Sequence, residues 1–165
     1  MRIYLLGLMG SGKTTIGKKL AKKLAYQFVD LDDLIENKIG MSIAEYFELH
    51  GESNFRILEQ QSLRDTFNYN NTVISTGGGA PCFFSNMEEI NQNGISFYLK
   101  TDVDLLISRL KGGMDHRPLI KNKTSDELKI FLTQMTERRE IFYLKAKFIV
   151  PGKDLTVDKL LTWLK

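Results

Sequence analysis

Gly7-Leu8-Met9-Gly10-Ser11-Gly12-Lys13-Thr14 satisfies the pattern G-x-x-x-x-G-K-[ST] at every fixed position. Ahead of it, Arg2-Ile3-Tyr4-Leu5-Leu6 reads as a short buried strand. Behind it, Lys13 to Ala25 reads as an amphipathic helix, with Ile16, Leu20, Ala21 and Leu24 on one face and Lys18, Lys19, Lys22 and Lys23 on the other. This context gives the pattern its chemistry. Glycines at 7, 10 and 12 admit backbone conformations closed to residues with a Cβ, so the loop N–H groups can turn inward on an anion. The helix N-terminus adds its positive dipole end. Lys13 is expected to reach the β- and γ-phosphates of a nucleoside triphosphate, and the Thr14 hydroxyl to hold Mg²⁺. The alternative is a glycine-rich turn that binds nothing, and the strand and helix flanks weigh against it.

The 165 residues suit one domain with a full core. Hydrophobic residues at 42% and charged residues at 26% exclude a disordered chain. A net charge of +3 suits anionic small molecules without indicating nucleic acid. The single cysteine, Cys82, leaves no internal disulfide and no cysteine-based metal cluster, which fits a reducing compartment. The apolar run from Ile3 to Met9 leads straight into the phosphate loop, so it is not read as a signal peptide. No run is long enough to span a membrane. The expectation is a cytoplasmic monomer with no membrane and no nucleic-acid partner.

Strand signals recur at Gln27–Asp30, Thr72–Thr76, Ile95–Leu99 and Ala146–Val150. Helical patterns fall between them: about Asp33–Ile39 with Gly40 as C-cap, Ser42 to about His50, Phe55–Thr66 after a break at Gly51, Ser85–Asn93, Asp102–Lys111, Thr124 to about Leu144 and Thr156–Leu164. Ser42-Ile43-Ala44-Glu45 and Thr124-Ser125-Asp126-Glu127 are capping boxes. Gly112 to Lys123 lacks periodicity and reads as a mobile loop. Trp163 reads as a packing residue. Strands alternating with helices predict a parallel sheet covered on both faces, with ligands bound outside the carboxyl ends of the strands.

Two further clusters lie at such strand ends. Asp30-Leu31-Asp32-Asp33 closes one strand and opens a helix. One aspartate suffices for an N-cap, so three carboxylates beside a phosphate loop point to function. One can orient Mg²⁺ or its waters, and another can accept or position the proton of an attacking hydroxyl. Gly77-Gly78-Gly79 follows the strand at 72–76, and close approach of its backbone to a ligand explains three adjacent glycines better than a turn does. Arg117, in the glycine-bearing loop beside Pro118, is placed to stabilise charge on a transferring phosphate. His50 and His116 read as surface residues.

Taken together the motifs resemble the shikimate kinases. The resemblance rests on Gly7 to Gly17 as the phosphate loop with its Met-Gly and trailing glycine, and on Phe28-Val29-Asp30-Leu31-Asp32-Asp33-Leu34-Ile35-Glu36 as F-x-D-x-D-x-x-I-E. It continues through Ser42 to Phe47, Gly51 to Arg56, Gly77-Gly78-Gly79-Ala80, Arg117-Pro118-Leu119, and Arg139 to Tyr143 as R-x-x-x-Y. These stand in order across nearly the whole chain. The resemblance implies a three-layer α/β/α P-loop kinase of the nucleoside monophosphate kinase-like type, with a five-stranded parallel sheet in the order 2-3-1-4-5. It implies transfer of the ATP γ-phosphate to the 3-hydroxyl of shikimate, in aromatic amino-acid biosynthesis, with Mg²⁺ as cofactor. One kinase domain over 1–165 would carry a substrate-binding helical segment at about 31–62 and a lid at about 112–124.

By position, the resemblance makes Lys13, Asp32 and Arg117 catalytic, and Thr14 and Asp30 contacts to the metal. ATP would meet Gly10, Ser11, Gly12, Lys13, Thr14, Thr15, Arg109 and Arg117. Shikimate would meet Asp32, Phe47, Phe55, Arg56, Gly78, Gly79 and Arg139, with Arg56 and Arg139 on its carboxylate. Arg139 rather than Arg138 is chosen on its spacing to Tyr143. The chain departs from the family at the position seven residues before Arg117. Leu110 stands there in place of the arginine that stacks on adenine, with Arg109 and Lys111 beside it and the Pro151-Gly152-Lys153 turn as a facing wall. Two other readings compete: a different small-metabolite kinase such as a gluconate kinase, and a non-catalytic ATP-binding switch.

Overall fold

The computed structural model describes residues 1–112 and 119–164. Five strands, β1 (Arg2–Leu6), β2 (Gln27–Asp30), β3 (Thr72–Ser75), β4 (Ile95–Lys100) and β5 (Phe148–Pro151), form one parallel sheet in the order β2-β3-β1-β4-β5. β1 is central because Ile3, Tyr4, Leu5 and Leu6 are all fully buried, and only a strand covered on both faces and both edges can bury such a run. The outer strands β2 and β5 carry the more exposed residues. Pro151 ends β5, an edge strand that can lack its N–H.

Period-two alternation sorts the side chains into two cores. Ile3, Leu5, Val73, Phe97 and Leu99 face α1 (Lys13–Leu24) and α7 (Val157–Thr162), packing on Ile16, Leu20 and Leu160. Trp163 stacks there on Phe97 and Phe148, with ring centroids 5.9 and 5.4 Å away, as a packing residue should. Tyr4, Leu6, Ile74 and Tyr98 face the other layer: α2 (Leu31–Ile39), α3 (Ile43–Asp65), α4 (Asn86–Asn93), α5 (Val103–Leu110) and α6 (Ser125–Tyr143). Both expected capping boxes form, at Ser42 with Glu45 and at Thr124 with Glu127. Among the described residues no helix is long and apolar enough to cross a membrane.

Several expected boundaries shift. α2 begins at Leu31 rather than Asp33, because Asp30 itself is the N-cap and accepts the Asp32 N–H. Gly51 does interrupt α3, with φ 77° and ψ 169°, but helical backbone resumes at once and not at Phe55. β5 starts at Phe148 instead of Ala146, since the Ala146 N–H still bonds the Tyr143 carbonyl in the turn that ends α6. Met114 to Pro118 of the expected loop, together with Gly113, lie outside the described residues.

The register brings the strand ends to one level. Leu5 and Asp30 both pair with Ser75, so the chain leaves β1 into the phosphate loop, β2 into the aspartates and β3 into the glycines side by side. Thr76 fixes that edge by donating both its N–H and its hydroxyl to the Leu5 carbonyl, at 3.1 and 3.2 Å.

Tight approach beneath the sheet gives a test. Gly94 has extended backbone that any residue adopts, yet a Cβ there would sit 2.8 Å from the Arg2 carbonyl oxygen and 2.6 Å from the buried Tyr4 ring. Gly94→Ala should lower stability by about 1–3 kcal/mol through overpacking. Gly112→Ala, with nothing within 4 Å, should stay within about 0.5 kcal/mol of the parent. Urea denaturation midpoints check both.

Candidate active site

The phosphate loop takes the conformation its glycines permit, with Gly7, Gly10 and Gly12 at φ 143°, 80° and 96°. Gly12 caps α1 in the left-handed region and presents the first turn of the helix to the loop. Lys13 Nζ donates to the Gly7 and Leu8 carbonyls at 2.7 and 2.9 Å, which holds the ammonium across the loop mouth. Thr15 is exposed on the first turn of α1 and Ser11 is buried. The Thr14 hydroxyl donates to Asp30 Oδ2 at 2.9 Å, while Asp30 Oδ1 caps α2. Asp30 is therefore both the helix cap and the link to the phosphate loop.

Each glycine after β3 makes room for a different charged side chain. A Cβ on Gly77 would lie 2.7 Å from Asp32 Oδ1 and 3.2 Å from Glu59 Oε1. On Gly78 it would lie 2.9 Å from Arg139 Nη1, and on Gly79 2.6 Å from Arg56 Nη1. None of the three has a positive φ, so what they supply is space. The same Gly78 position is 3.7 Å from the Gly7 carbonyl, so the two loops are neighbours. Asp32, Arg56 and Arg139 thus converge on three consecutive residues beside the phosphate loop. Arg138 is exposed.

The electrostatics of this corner follow from burial. The Asp32 carboxyl is pushed up to about 6, chiefly by desolvation, then by the neighbouring charges of Asp30 and Glu59, with Lys13 pulling the other way. Glu59 is buried, which raises its carboxyl against the pull of Arg56. Arg56 donates from Nη1 to Glu59 at 2.7 Å, and from Nε and Nη2 to Glu52 at 3.4 and 3.2 Å. Phe47 and Phe55 pack with their rings tilted by 39° and centroids 4.6 Å apart, and the Arg56 guanidinium carbon lies 5.9 and 5.2 Å from their centres. Tyr143 donates its hydroxyl to the Gly78 carbonyl, tying α6 to the glycine run. Burial pushes the Cys82 thiol up to about 11, so it stays protonated and inert as a nucleophile.

At the far side of the phosphate loop, Leu110 is buried, and a Cβ on Gly10 would meet it at 2.9 Å. Leu110 therefore packs beneath the loop and cannot cover a base. Arg109 holds the outer position instead, donating to the Ser11 and Gly152 carbonyls, each at 3.2 Å. Arg117 lies outside the described residues.

Sequence reasoning missed Glu52, Glu59 and the hydroxyl of Tyr143 as parts of this cluster. Glu52 and Glu59 stand four before and three after Arg56, the helical spacing that brings side chains together, and that signal was available.

A profile of the shikimate kinase family matches residues 9–164. The shikimate kinase of Bacteroides thetaiotaomicron is 43% identical over 155 residues, covering 94% of this chain and 89% of that protein. The shikimate kinase of Azobacteroides pseudotrichonymphae is 44% identical over 161 residues, covering 97% and 95%. Among solved structures, that of the Bacteroides thetaiotaomicron shikimate kinase superposes with a TM-score of 0.96 at 41% identity, covering 99% of this chain and 98% of that one. The shikimate kinase from Acinetobacter baumannii in complex with shikimate follows at 0.87 and 34%, covering 99% and 92%. A deoxyadenosine kinase from M. mycoides with bound dATP shares the fold alone, at 0.62 and 16%, with 99% and 97% covered. With its phosphate loop, sheet order and convergent aspartate and arginines in place, the chain belongs to the shikimate kinase family.

Proposed function

We propose that this chain transfers the γ-phosphoryl group of ATP to the 3-hydroxyl of shikimate, giving shikimate 3-phosphate and ADP. The observation that carries the reading is the convergence of Asp32, Arg56 and Arg139 on Gly77, Gly78 and Gly79, next to the phosphate loop. Two guanidinium groups on adjacent backbone positions suit one carboxylate, and an aspartate one residue further along suits the hydroxyls of the same small acid. The shikimate named in the solved relative from Acinetobacter baumannii supports the same acceptor.

In the reaction the 3-hydroxyl oxygen bonds to the γ-phosphorus, the bond from that phosphorus to the β–γ bridging oxygen breaks, and ADP leaves with that electron pair. Asp32 orients the hydroxyl and takes its proton. Because phosphoryl transfer runs through a loose transition state, the proton need move only late, and positioning is the larger contribution. Lys13 exchanges its carbonyl partners for phosphate oxygens, and Arg117 is assigned to the same phosphates from its place in the sequence. Arg56 and Arg139 hold the acceptor carboxylate, and Phe47 and Phe55 wall its ring. Arg109 and the turn at 151–153 are assigned to the nucleotide base, residues at about 31–62 to acceptor binding, and those at about 112–124 to the lid.

The Thr14 hydroxyl and the Asp30 carboxylate fit Mg²⁺, a hard ion that takes few protein oxygens and keeps waters and phosphate oxygens. When bound, the ion neutralises charge on the β- and γ-phosphates. The reading also carries a cytoplasmic monomer, the single cysteine fitting a reducing compartment, with ATP and shikimate as small-molecule partners that the mild positive charge suits.

ADP release by the purified protein with ATP, Mg²⁺ and either shikimate, gluconate or no acceptor tests the function. Turnover should require shikimate. Turnover with gluconate alone, or at the same rate without any acceptor, contradicts it. Asp32→Asn should lower kcat by about 10²-fold or more with ATP affinity unchanged.

The raised carboxyl of Asp32 sets two pH dependences. Activity should fall as pH drops through about 6 and the carboxylate protonates. Stability should behave in the opposite sense: a carboxyl that ionises less readily in the folded state makes the ionised form a burden above its folded value. Asp32→Asn should therefore raise the thermal midpoint at pH 8, and that gain should shrink between pH 6 and about 4, the range separating the folded from the ordinary value. Calorimetric scans across that range check the sign.

A further inference from the structure

We infer that Phe83 is a positioning residue for the acceptor site, holding the Arg56 guanidinium through its aromatic face. This rests on the assignment of Arg56 to the acceptor carboxylate.

The Arg56 guanidinium carbon lies 4.1 Å from the centre of the Phe83 ring, closer than to Phe55 at 5.2 Å or Phe47 at 5.9 Å. That distance is well inside the range in which the negative face of a ring attracts a cation. The other groups around Arg56 act differently. Glu59 and Glu52 take one N–H each from Nη1, Nε and Nη2. Of the five N–H groups of an arginine, two then remain, one on each terminal nitrogen. These are the donors an incoming carboxylate needs. A third acidic partner would consume them and repel the ligand. An aromatic face fixes the cation without using a donor and without adding charge, so Phe83 holds the fork while leaving it open.

The backbone around Phe83 is braced for that position. The Cys82 N–H bonds the Gly79 carbonyl at 2.8 Å, closing the short turn that links the glycine run to Phe83. Buried Asn86 donates from its side chain to the Ala80 carbonyl at 2.8 Å and from its N–H to the Phe83 carbonyl at 3.2 Å. Phe84, which follows, sits in the left-handed region at φ 53°, a conformation rare for a bulky residue, with its side chain largely exposed. The chain turns sharply there, and Phe83 is left against Arg56 while Phe84 points away to solvent. Gly79, which admits the guanidinium, and Phe83, which faces it, thus belong to one turn.

The test compares steady-state kinetics of Phe83→Leu, Phe83→Tyr and a series with mono-, di- and trifluorophenylalanine at position 83. Phe83→Leu should raise the KM for shikimate about fivefold, with kcat and the KM for ATP within twofold of the parent, and Phe83→Tyr should restore the parent value. Across the fluorinated series, whose shape barely changes, log KM for shikimate should climb steadily as the ring face loses negative charge, while the KM for ATP stays within twofold of the parent. A flat KM across that series in an enzyme that turns over shikimate overturns the role of Phe83. Absence of turnover with shikimate in the parent protein overturns the proposed function itself, so the two failures are distinct.

Discussion

The strand end beside the phosphate loop depends on a buried ion pair pressed against bare backbone. Arg56 and Glu59 are 9% and 1% exposed and meet at 2.7 Å. Taking two such charges from water is expensive, and their attraction offsets the loss only when the remaining hydrogen-bonding groups are satisfied. Losing either partner would leave an uncompensated buried charge, at about 3–5 kcal/mol. The pair exists where it does because Gly79 has no side chain to exclude the guanidinium. A protein seeking stability alone would fill this space with apolar atoms. Keeping a half-satisfied arginine there makes sense when a ligand supplies the rest of its partners.

Strand register ties this corner to the phosphate loop. Parallel strands in register bring Leu5, Asp30 and Ser75 to one level, so three loops leave the sheet together. Asp30 spans the gap by capping α2 with one oxygen and accepting the Thr14 hydroxyl with the other. Asp32, two residues on, lies in the field of both halves, raised by Asp30 and Glu59 and lowered by Lys13.

Much of this was legible in the residues because the signals are local. The phosphate loop, the strand-end aspartates, both capping boxes and the alternation of strands with helices each follow from spacing within a few residues. The adenine side was legible only in part: the replacement of arginine by Leu110 was visible, but its burial under Gly10 depends on how α5 packs, which no local pattern states. The glycine run shows the limit most clearly. Three glycines announced a close approach, and a ligand was the natural candidate. The structure places charged side chains of α2, α3 and α6 against the run, Asp32 and Glu59 at Gly77, Arg139 at Gly78 and Arg56 at Gly79. Those partners are distant in sequence, so their arrival at one strand end is a product of topology. The pairing of Arg56 with Phe83 is of the same kind, whereas its pairing with Glu59 follows a helical spacing.

The most direct measurement is calorimetric binding of shikimate and of ATP to Gly79→Ala beside the parent protein. A methyl group at position 79 would lie 2.6 Å from the Arg56 terminal nitrogen and displace the guanidinium, leaving the phosphate loop untouched. The account predicts that shikimate affinity falls about tenfold or more, the loss of a charged hydrogen-bonding partner, while ATP affinity is unchanged. Undiminished shikimate affinity in the variant would contradict the claim that this crowded strand end is the acceptor site.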